Sequence, residues 1–431
     1  MTQTHLRHMS EVNDADQRLR PRGSNHVGMR QFNERVVLHA IRLNGPLPKA
    51  DIARLTQLTA QTVQLIMGRL EAEALVVKQA AQRGKVGQPS VPMALNPDGA
   101  FAIGIKIGRR SLDALLVDFT AQVRQRVTLR YDFPNPVTLF DDIDRMLREL
   151  TLGLKPAQRK RLIGVGVAAP LSLGGWQTLL GLAPQQAQGW DGIDIRERVA
   201  ALTALPVAFI KDTSAACVAE LVSGHGRNRR SFLYVFVDTF IGGGLVLDSR
   251  WHRGVNGNAG AVGSLSLGLS PGMASNAGKA SGQGLSRAQP PAQLLSTASL
   301  FKLETLFLEA GLDAAAAADE RALTAPWRAH TLRWLKQAAP AIALAVHNAA
   351  CLLDLEGVLL DGSFSRALQA ELLSHVSEAL SQHSWEGVAR PKLLPGTIGP
   401  DARAMGGALL PLYAHFAPDR EVFLKLGAGE G

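Results

Sequence analysis

Cysteine is nearly absent. Only Cys217 and Cys351 occur among 431 residues, which excludes a disulfide framework and a cysteine-rich zinc site. Both lie in apolar sequence and read as buried free thiols of a reducing cytosol. Long apolar runs are missing too. None reaches the roughly 18 residues that a membrane-spanning helix needs, so no membrane partner is expected. The first 27 residues hold Arg7, Arg18, Arg20 and Arg22 but no continuous apolar stretch of the kind a secretory signal requires. Together these absences point to a cytoplasmic globular protein, and the length points to two or three domains.

What is present is unevenly placed. Net charge is +9, and residues 1–97 carry 13 Lys/Arg against 7 Asp/Glu, leaving only +3 for the rest. A basic excess at one end suits a polyanion partner, although a solvated basic face explains it equally well.

Residues 1–27 are polar and aperiodic and read as a disordered basic arm. Phe32, Val36, Val37, Ala40, Ile41 and Leu43 then form one helix face, stopped by Asn44-Gly45-Pro46. Ala50, Ile52, Ala53 and Leu55 give a short second helix. Val63, Ile66, Met67, Leu70 and Ala74 give a third. Val76-Val77 and residues 91–95 flank a glycine-bearing loop, Arg83-Gly84-Lys85-Val86-Gly87-Gln88-Pro89, and read as two strands. Beyond Pro97-Asp98-Gly99 strands and helices alternate. Strands are expected at 101–107, 112–118, 161–168, 207–210, 232–237 and 358–360, and helices at 215–221, across much of 299–353 and at 365–380. Residues 254–292, rich in Gly, Ser, Ala and Pro, read as loop. The order implies an α/β domain built on central sheets.

Two helices joined by a tight turn, with Thr59 capping the second, form a helix-turn-helix pattern, and the paired strands after it form a wing. If Val63, Ile66, Met67 and Leu70 face the core, Gln61, Gln64 and Gly68 face outward. Glutamine suits bidentate contact with adenine in the major groove. Thr59 and Thr62 sit at a helix N-terminus, where hydroxyls, backbone N–H groups and the helix dipole suit a phosphate. Arg83 and Lys85 at the wing tip would follow the DNA backbone or enter the minor groove, and Arg69 and Gln88 complete the candidate DNA contacts. Gly68 costs about 1 kcal/mol relative to alanine within a helix. Close approach of another helix would account for it.

Further along, Ile103-Gly104-Ile105-Lys106-Ile107-Gly108, Pro170, Ala183-Pro184, Lys211-Asp212-Thr213-Ser214-Ala215-Ala216, Ile241-Gly242-Gly243-Gly244 and Gly257-Asn258-Ala259-Gly260-Ala261-Val262-Gly263 occur in that order. In these motifs, from about residue 28 to 420, the chain resembles the ROK family (repressors, open reading frames and kinases). Its N-terminal part resembles the winged helix of that family's regulators, including Gly87-Gln88-Pro89 where Gly-Arg-Pro is common. The resemblance implies a two-lobed, actin-like ATPase fold of the ribonuclease H type with a cleft between the lobes. It would follow a winged helix-turn-helix at 28–97 and occupy 98–431, with lobe one at about 98–210 plus 398–431 and lobe two at about 211–397.

The departures from the family carry the functional reading. Its sugar kinases have Asp-x-Gly-x-Thr, whose carboxylate helps organise Mg-ATP; here the stretch is Lys106-Ile107-Gly108-Arg109-Arg110. A lysine replaces an anionic metal-organising group with a cation, and the two arginines suit an anion instead. The family's Gly-Glu-x-Gly-His, which binds sugar and zinc, is Gly260-Ala261-Val262-Gly263-Ser264, and the zinc loop's cysteines are missing, so no metal and no cofactor are expected. Asp212 matches the family's general base, with Lys211 in place of its usual Asn. Two readings of Asp212 stand: a retained ligand contact, or an ion pair with Lys211 or helix cap. Gly243, within Gly242-Gly243-Gly244, would hold phosphate or make a tight turn between strands. Gln185, Asn256 and Asn258 would offer hydrogen bonds in the cleft, and Trp176, Trp190 and Trp251 would stack on a sugar or simply pack. The resulting expectation is a transcription regulator without enzymatic activity. It would bind a double-stranded operator, sense a sugar or sugar derivative, and assemble as a homodimer or tetramer. A sugar kinase and a ligand-independent DNA-binding dimer are the alternatives.

Overall fold

The computed structural model describes residues 26–81, 91–175, 177–181, 183–268 and 291–418. Helix α1 (His26–Asn44) ends at Gly45, whose φ of 78° only glycine adopts freely and whose N–H closes on Ile41 O at 2.9 Å. α2 (Lys49–Thr56) and α3 (Ala60–Ala72) follow. Thr59 caps α3 as the sequence predicts, its Oγ1 accepting from Thr62 N at 3.1 Å. Val63, Ile66, Met67 and Leu70 are buried with Val37, Ile41 and Ile52 in one core. The antiparallel pair β1 (Val76–Lys78) and β2 (Met93–Leu95) closes this unit, with Leu47 bridged to Met93. Phe32 departs from expectation. It is 49% exposed, because the buried face of α1 starts only at Val37.

A continuous apolar run makes β3 (Phe101–Ile107) a strand covered on both faces. It pairs with β4 (Ser111–Asp118), which pairs with β5 (Val123–Arg130). The amphipathic α4 (Leu139–Leu152) lies on this sheet with Phe140, Ile143, Met146, Leu147 and Leu150 buried. β6 (Leu162–Ala169) and β7 (Val207–Lys211) complete the order β5-β4-β3-β6-β7. α5 (Asp212–Ser223) leads into β8 (Phe232–Val237), β9 (Gly242–Leu247) and β10 (Arg250–His252) of a second sheet. After α6 (Leu300–Glu309) and α7 (Arg328–Leu353), β11 (Gly357–Gly362) enters its centre, parallel to β8. α8 (Arg366–Ser381) and β12 (Lys392–Pro395) give the order β10-β9-β8-β11-β12.

The last helix, α9 (Ala402–Phe416), returns to the first sheet and lies between β3 and β6 on one side and α5 on the other. Glycine makes this approach possible. A Cβ on Gly166 would stand 1.8 Å from Gly407 O, and one on Gly406 1.8 Å from Ala215 O. Among the described residues no helix is long and apolar enough to cross a membrane. Cys217 is buried as expected, but Cys351 is exposed, on a face of α7 that it shares with His347 at 3.9 Å.

Candidate functional site

Two sites emerge. The first is the outer face of α3, where Gln61, Gln64 and Gly68 are exposed as the periodicity requires. Leu65, which the sequence reading passed over, is 61% exposed among them. An isolated apolar residue on a polar helix face is the signal that was available, and it fits a thymine methyl in the major groove. Gln64 Oε1 accepts from Lys49 Nζ at 2.7 Å, which fixes the carboxamide and leaves its two N–H donors pointing away from that bond. Thr59 and Thr62 share a hydroxyl hydrogen bond of 2.8 Å.

The structure places Arg69 and corrects the expectation about Gly68. Arg69 is an ion-pair partner of Glu34 at 2.8 Å and ties α3 to α1. Nothing lies within 4 Å of a Cβ built on Gly68, so no helix of this chain approaches it closely. Arg83, Lys85 and Gln88 lie outside the described residues.

The second site is a cavity of about 230 Å³ where the two sheets meet. Its wall takes Gly108 and Arg109 from the end of β3, Ser172 from the loop after β6, Lys211, Asp212 and Thr213 from the start of α5, Asp238 and Phe240 from the turn after β8, Asn258 and Ser264, and Arg403 from α9. Asp212 is the first residue of α5, and its Oδ1 accepts from Thr213 N at 2.8 Å. No ion pair joins it to Lys211 among the described residues, so the ion-pair half of that reading falls, while its place at the start of α5 fits the helix-cap half. Burial holds the Lys211 amine below the ordinary lysine range, against the opposing pull of Asp212. Burial likewise lowers the Arg109 guanidinium, against Asp212 and Asp238.

Arg403 and Asp238, which the sequence reading missed, form a buried pair in the cavity wall, and Arg403 also donates to Ser363 Oγ at 3.2 Å. Burial works to raise the Asp238 carboxyl, but Arg403 and then Lys106 outweigh it and hold it below its usual range. The available signal was a lone charge in each of two otherwise apolar segments, β8 with its following turn and α9.

Three sequence-predicted ligand residues are displaced. Gln185 is exposed on a short helix away from the cavity wall, and Asn256 is exposed outside it. Gly243 is buried in β9 opposite Val235, where a Cβ would meet Tyr234 O at 2.4 Å. Gly243 and Gly244 therefore permit close packing at the start of a strand, and of the three glycines only Gly242 lines the cavity. Trp190 packs against Phe140 and donates to Pro134 O, Trp251 lies on β10 away from the cavity wall, and Trp176 is outside the described residues.

Lys106 is equally informative. It is buried, and its Nζ bonds Ser111 Oγ at 2.6 Å and Asp113 Oδ2 at 2.9 Å, outside the cavity wall. The ammonium is thus satisfied by its own strand pair.

A profile of the ROK family matches residues 102–413. The chain belongs to the ROK family. Its curated relatives include the xylose repressor of Bacillus subtilis, 23% identical over 56% of this chain and 61% of that protein. They also include the xylose repressor of Caldicellulosiruptor bescii, 26% identical over 56% and 59%, and a Mycobacterium bovis transcriptional regulator, 28% identical over 51% and 50%. The chain thus spans about three-fifths or less of the curated relatives it matches.

Among solved ROK structures, a regulator described as a homologue of the Escherichia coli MLC protein superposes with a TM-score of 0.62 at 19% identity, covering 91% of this chain and 98% of that one. The ROK hexokinase of Thermus thermophilus superposes with a TM-score of 0.51 at 23% identity, covering 72% and 97%. Regulator and kinase share the two-lobed ROK fold with this chain.

Proposed function

We propose that this chain is a DNA-binding transcription regulator, a repressor of carbohydrate-related genes. Residues 28–97 would read the operator, and the kinase-like body, 98–431, would sense a sugar or sugar derivative and pair subunits in the cytoplasm. The observation that carries the reading is the outer face of α3, where Gln61, Gln64 and Leu65 stand exposed on a helix held from behind by a complete core. The names of the curated relatives support it.

Selection from a random duplex pool with the full chain should enrich an inverted repeat whose half-site spacing reports the paired readers. Gln61→Ala and Gln64→Ala should each relax base preference at one position, by about 1–3 kcal/mol of discrimination. Equal loss on every sequence would place the reading face elsewhere.

The body fits a sensor better than an enzyme. Phosphoryl transfer depends on positioning and charge neutralisation around Mg-ATP. Here the residue in the family's metal-organising position is an ammonium bound to Ser111 and Asp113. Coupled assays with ATP, Mg²⁺ and a panel of hexoses should give no turnover. Turnover abolished in Asp212→Ala would make the chain a kinase instead.

Two helices link the cavity to the reader. α5 starts at Asp212, and beyond its far end Arg227 donates to Leu43 O at 2.6 Å and Arg42 O at 3.3 Å, at the last carbonyls of α1. α9 starts beside Arg403 and ends where Phe416 packs on Phe119 and Tyr413 lies under the Arg42 guanidinium. Arg42 also donates to Phe119 O at 2.8 Å. A ligand that draws the start of either helix inward moves its far end against α1. Arg227→Ala should therefore still bind operator, while the effector-induced change in affinity shrinks by about 1 kcal/mol or more. An undiminished response in that variant would sever this route.

A further inference from the structure

We infer that the small molecule taken into the cleft carries an anionic group, a phosphate or a carboxylate, seated between Arg109 and Lys211. The inference rests on the sensor reading of the body and narrows it to one ligand chemistry.

Five charged side chains face the cavity: Arg109, Lys211, Arg403, Asp212 and Asp238. Arg403 and Asp238 neutralise each other in a buried pair. Asp212 holds the Thr213 N–H and makes no ion pair among the described residues. One carboxylate is thus left against two cations. Lys211 has no hydrogen-bond or ion-pair partner among the described residues. Among the described residues Arg109 makes one side-chain hydrogen bond, from Nη2 to Ser172 O at 3.0 Å, while its Nε finds no partner. The Phe240 ring lies 4.8 Å from its guanidinium carbon and holds the plane in place.

Both cations are half-buried with donors left open, which is unfavourable, and a ligand anion removes that penalty with charge-assisted hydrogen bonds. The first turn of α5, which begins at Asp212, adds the positive end of a twelve-residue helix to the same wall. Beyond Arg109 a second cavity opens, lined also by Arg110, Asp132 and Gln186. Glu304 pairs with Arg110 at 3.5 Å, while Asp132 is exposed to solvent and makes no ion pair among the described residues. A neutral sugar would engage Asp212 and Asn258 but leave the excess positive charge unanswered.

The test uses the full chain, titrated calorimetrically at fixed ionic strength with glucose and xylose, with their phosphate esters, with the corresponding aldonates, and with inorganic phosphate. At least one anionic derivative should bind about tenfold or more tightly than its neutral parent, in line with a hydrogen bond to a charged group. The phosphate and aldonate arms decide which anion it is. Arg109→Gln and Lys211→Gln should each pull the anion-to-neutral ratio towards one without lowering the melting temperature. A neutral sugar that binds as tightly as its derivatives, or the failure of every anion to bind saturably, would overturn the inference. The duplex selection is scored separately, so an enriched operator beside either result leaves the regulator reading standing and removes only the anionic site.

Discussion

Gly166→Ala should cost the body about 3 kcal/mol or more, because the added methyl meets backbone that has nowhere to go. Its Cβ would stand 1.8 Å from Gly407 O and 3.2 Å from Gly407 Cα. Both elements are central: β6 is flanked by β3 and β7, and α9 is wedged between that sheet and α5. Rotamer changes cannot relieve a clash with a carbonyl oxygen, so the helix must lift off the sheet and give up burial of Ala404, Ala408 and Leu412. In a domain of this size such a loss lowers the melting temperature by roughly 4 °C or more.

Gly68→Ala is the matched control. Nothing lies within 4 Å of its Cβ, and the helical backbone favours alanine by about 1 kcal/mol, so this variant should melt higher. Scanning calorimetry on the two variants and the unsubstituted chain settles both signs. A Gly166→Ala protein that melts with the unsubstituted chain would mean that α9 is not seated against β6. Should Gly68→Ala bind operator less well while melting higher, the missing methyl is room reserved for DNA.

Acid should loosen the reader through His39. This imidazole is 4% exposed, and its Nε2 has no hydrogen-bond partner among the described residues. Burial first, and the nearby Arg42 charge second, push its pKa from 6.5 down to about 4. The depressed value fixes the sign. Above pH 6.5 the ring is neutral whether the chain is folded or unfolded, and the full stability is present. As pH falls towards 4 the unfolded chain takes up a proton that the folded one refuses, and stability is lost, by about 3 kcal/mol if the whole shift is realised. Glu220 and Asp361 oppose this trend. Burial raises both carboxyls, so the folded chain holds their protons more tightly and gains stability as pH falls.

The comparison with His39→Leu isolates the histidine, since the carboxylates are common to both proteins. Urea midpoints should be close at pH 7.5 and separate progressively below pH 6.5 in favour of the variant. Parallel pH profiles would show that His39 is protonated in the folded chain.

The reader was legible because its signals are local. A 3.6-residue period placed Val63, Ile66, Met67 and Leu70 inward and Gln61 and Gln64 outward, and Thr59 announced the helix start. Strands with unbroken apolar runs, such as β3 and β8, were equally plain. β5 is hard to read because it is a half-exposed edge, with Arg124, Arg126, Thr128 and Arg130 outward. The apolar face of α4 is readable at helical spacing from Phe140, Ile143, Met146, Leu147 and Leu150.

In the cleft, a short motif located Lys211 and Asp212. Arg403 and Asp238 meet only through tertiary packing across 165 residues of chain. Gln185 and Asn256 were misplaced because polarity in a loop says nothing about which way the loop faces. Gly243 was misread because the need for glycine came from the neighbouring strand's Tyr234 carbonyl, invisible in its own segment. Cys351 lies outside the core despite its apolar neighbours, which do not tell which side of a helix faces water.

The junction at the end of α1 also bears on how such proteins can be recombined. The last carbonyls of that helix are answered by Arg227 of the body, and Arg42 is answered by Phe119 O and the faces of Phe119 and Tyr413. Reader and body are therefore not interchangeable cassettes. A chimaera joining this reader to a foreign body must carry over the 225–228 turn and the aromatic seat around Phe119. Without them the fused helix ends on open carbonyls, and its arginine is left in a joint that no longer fits.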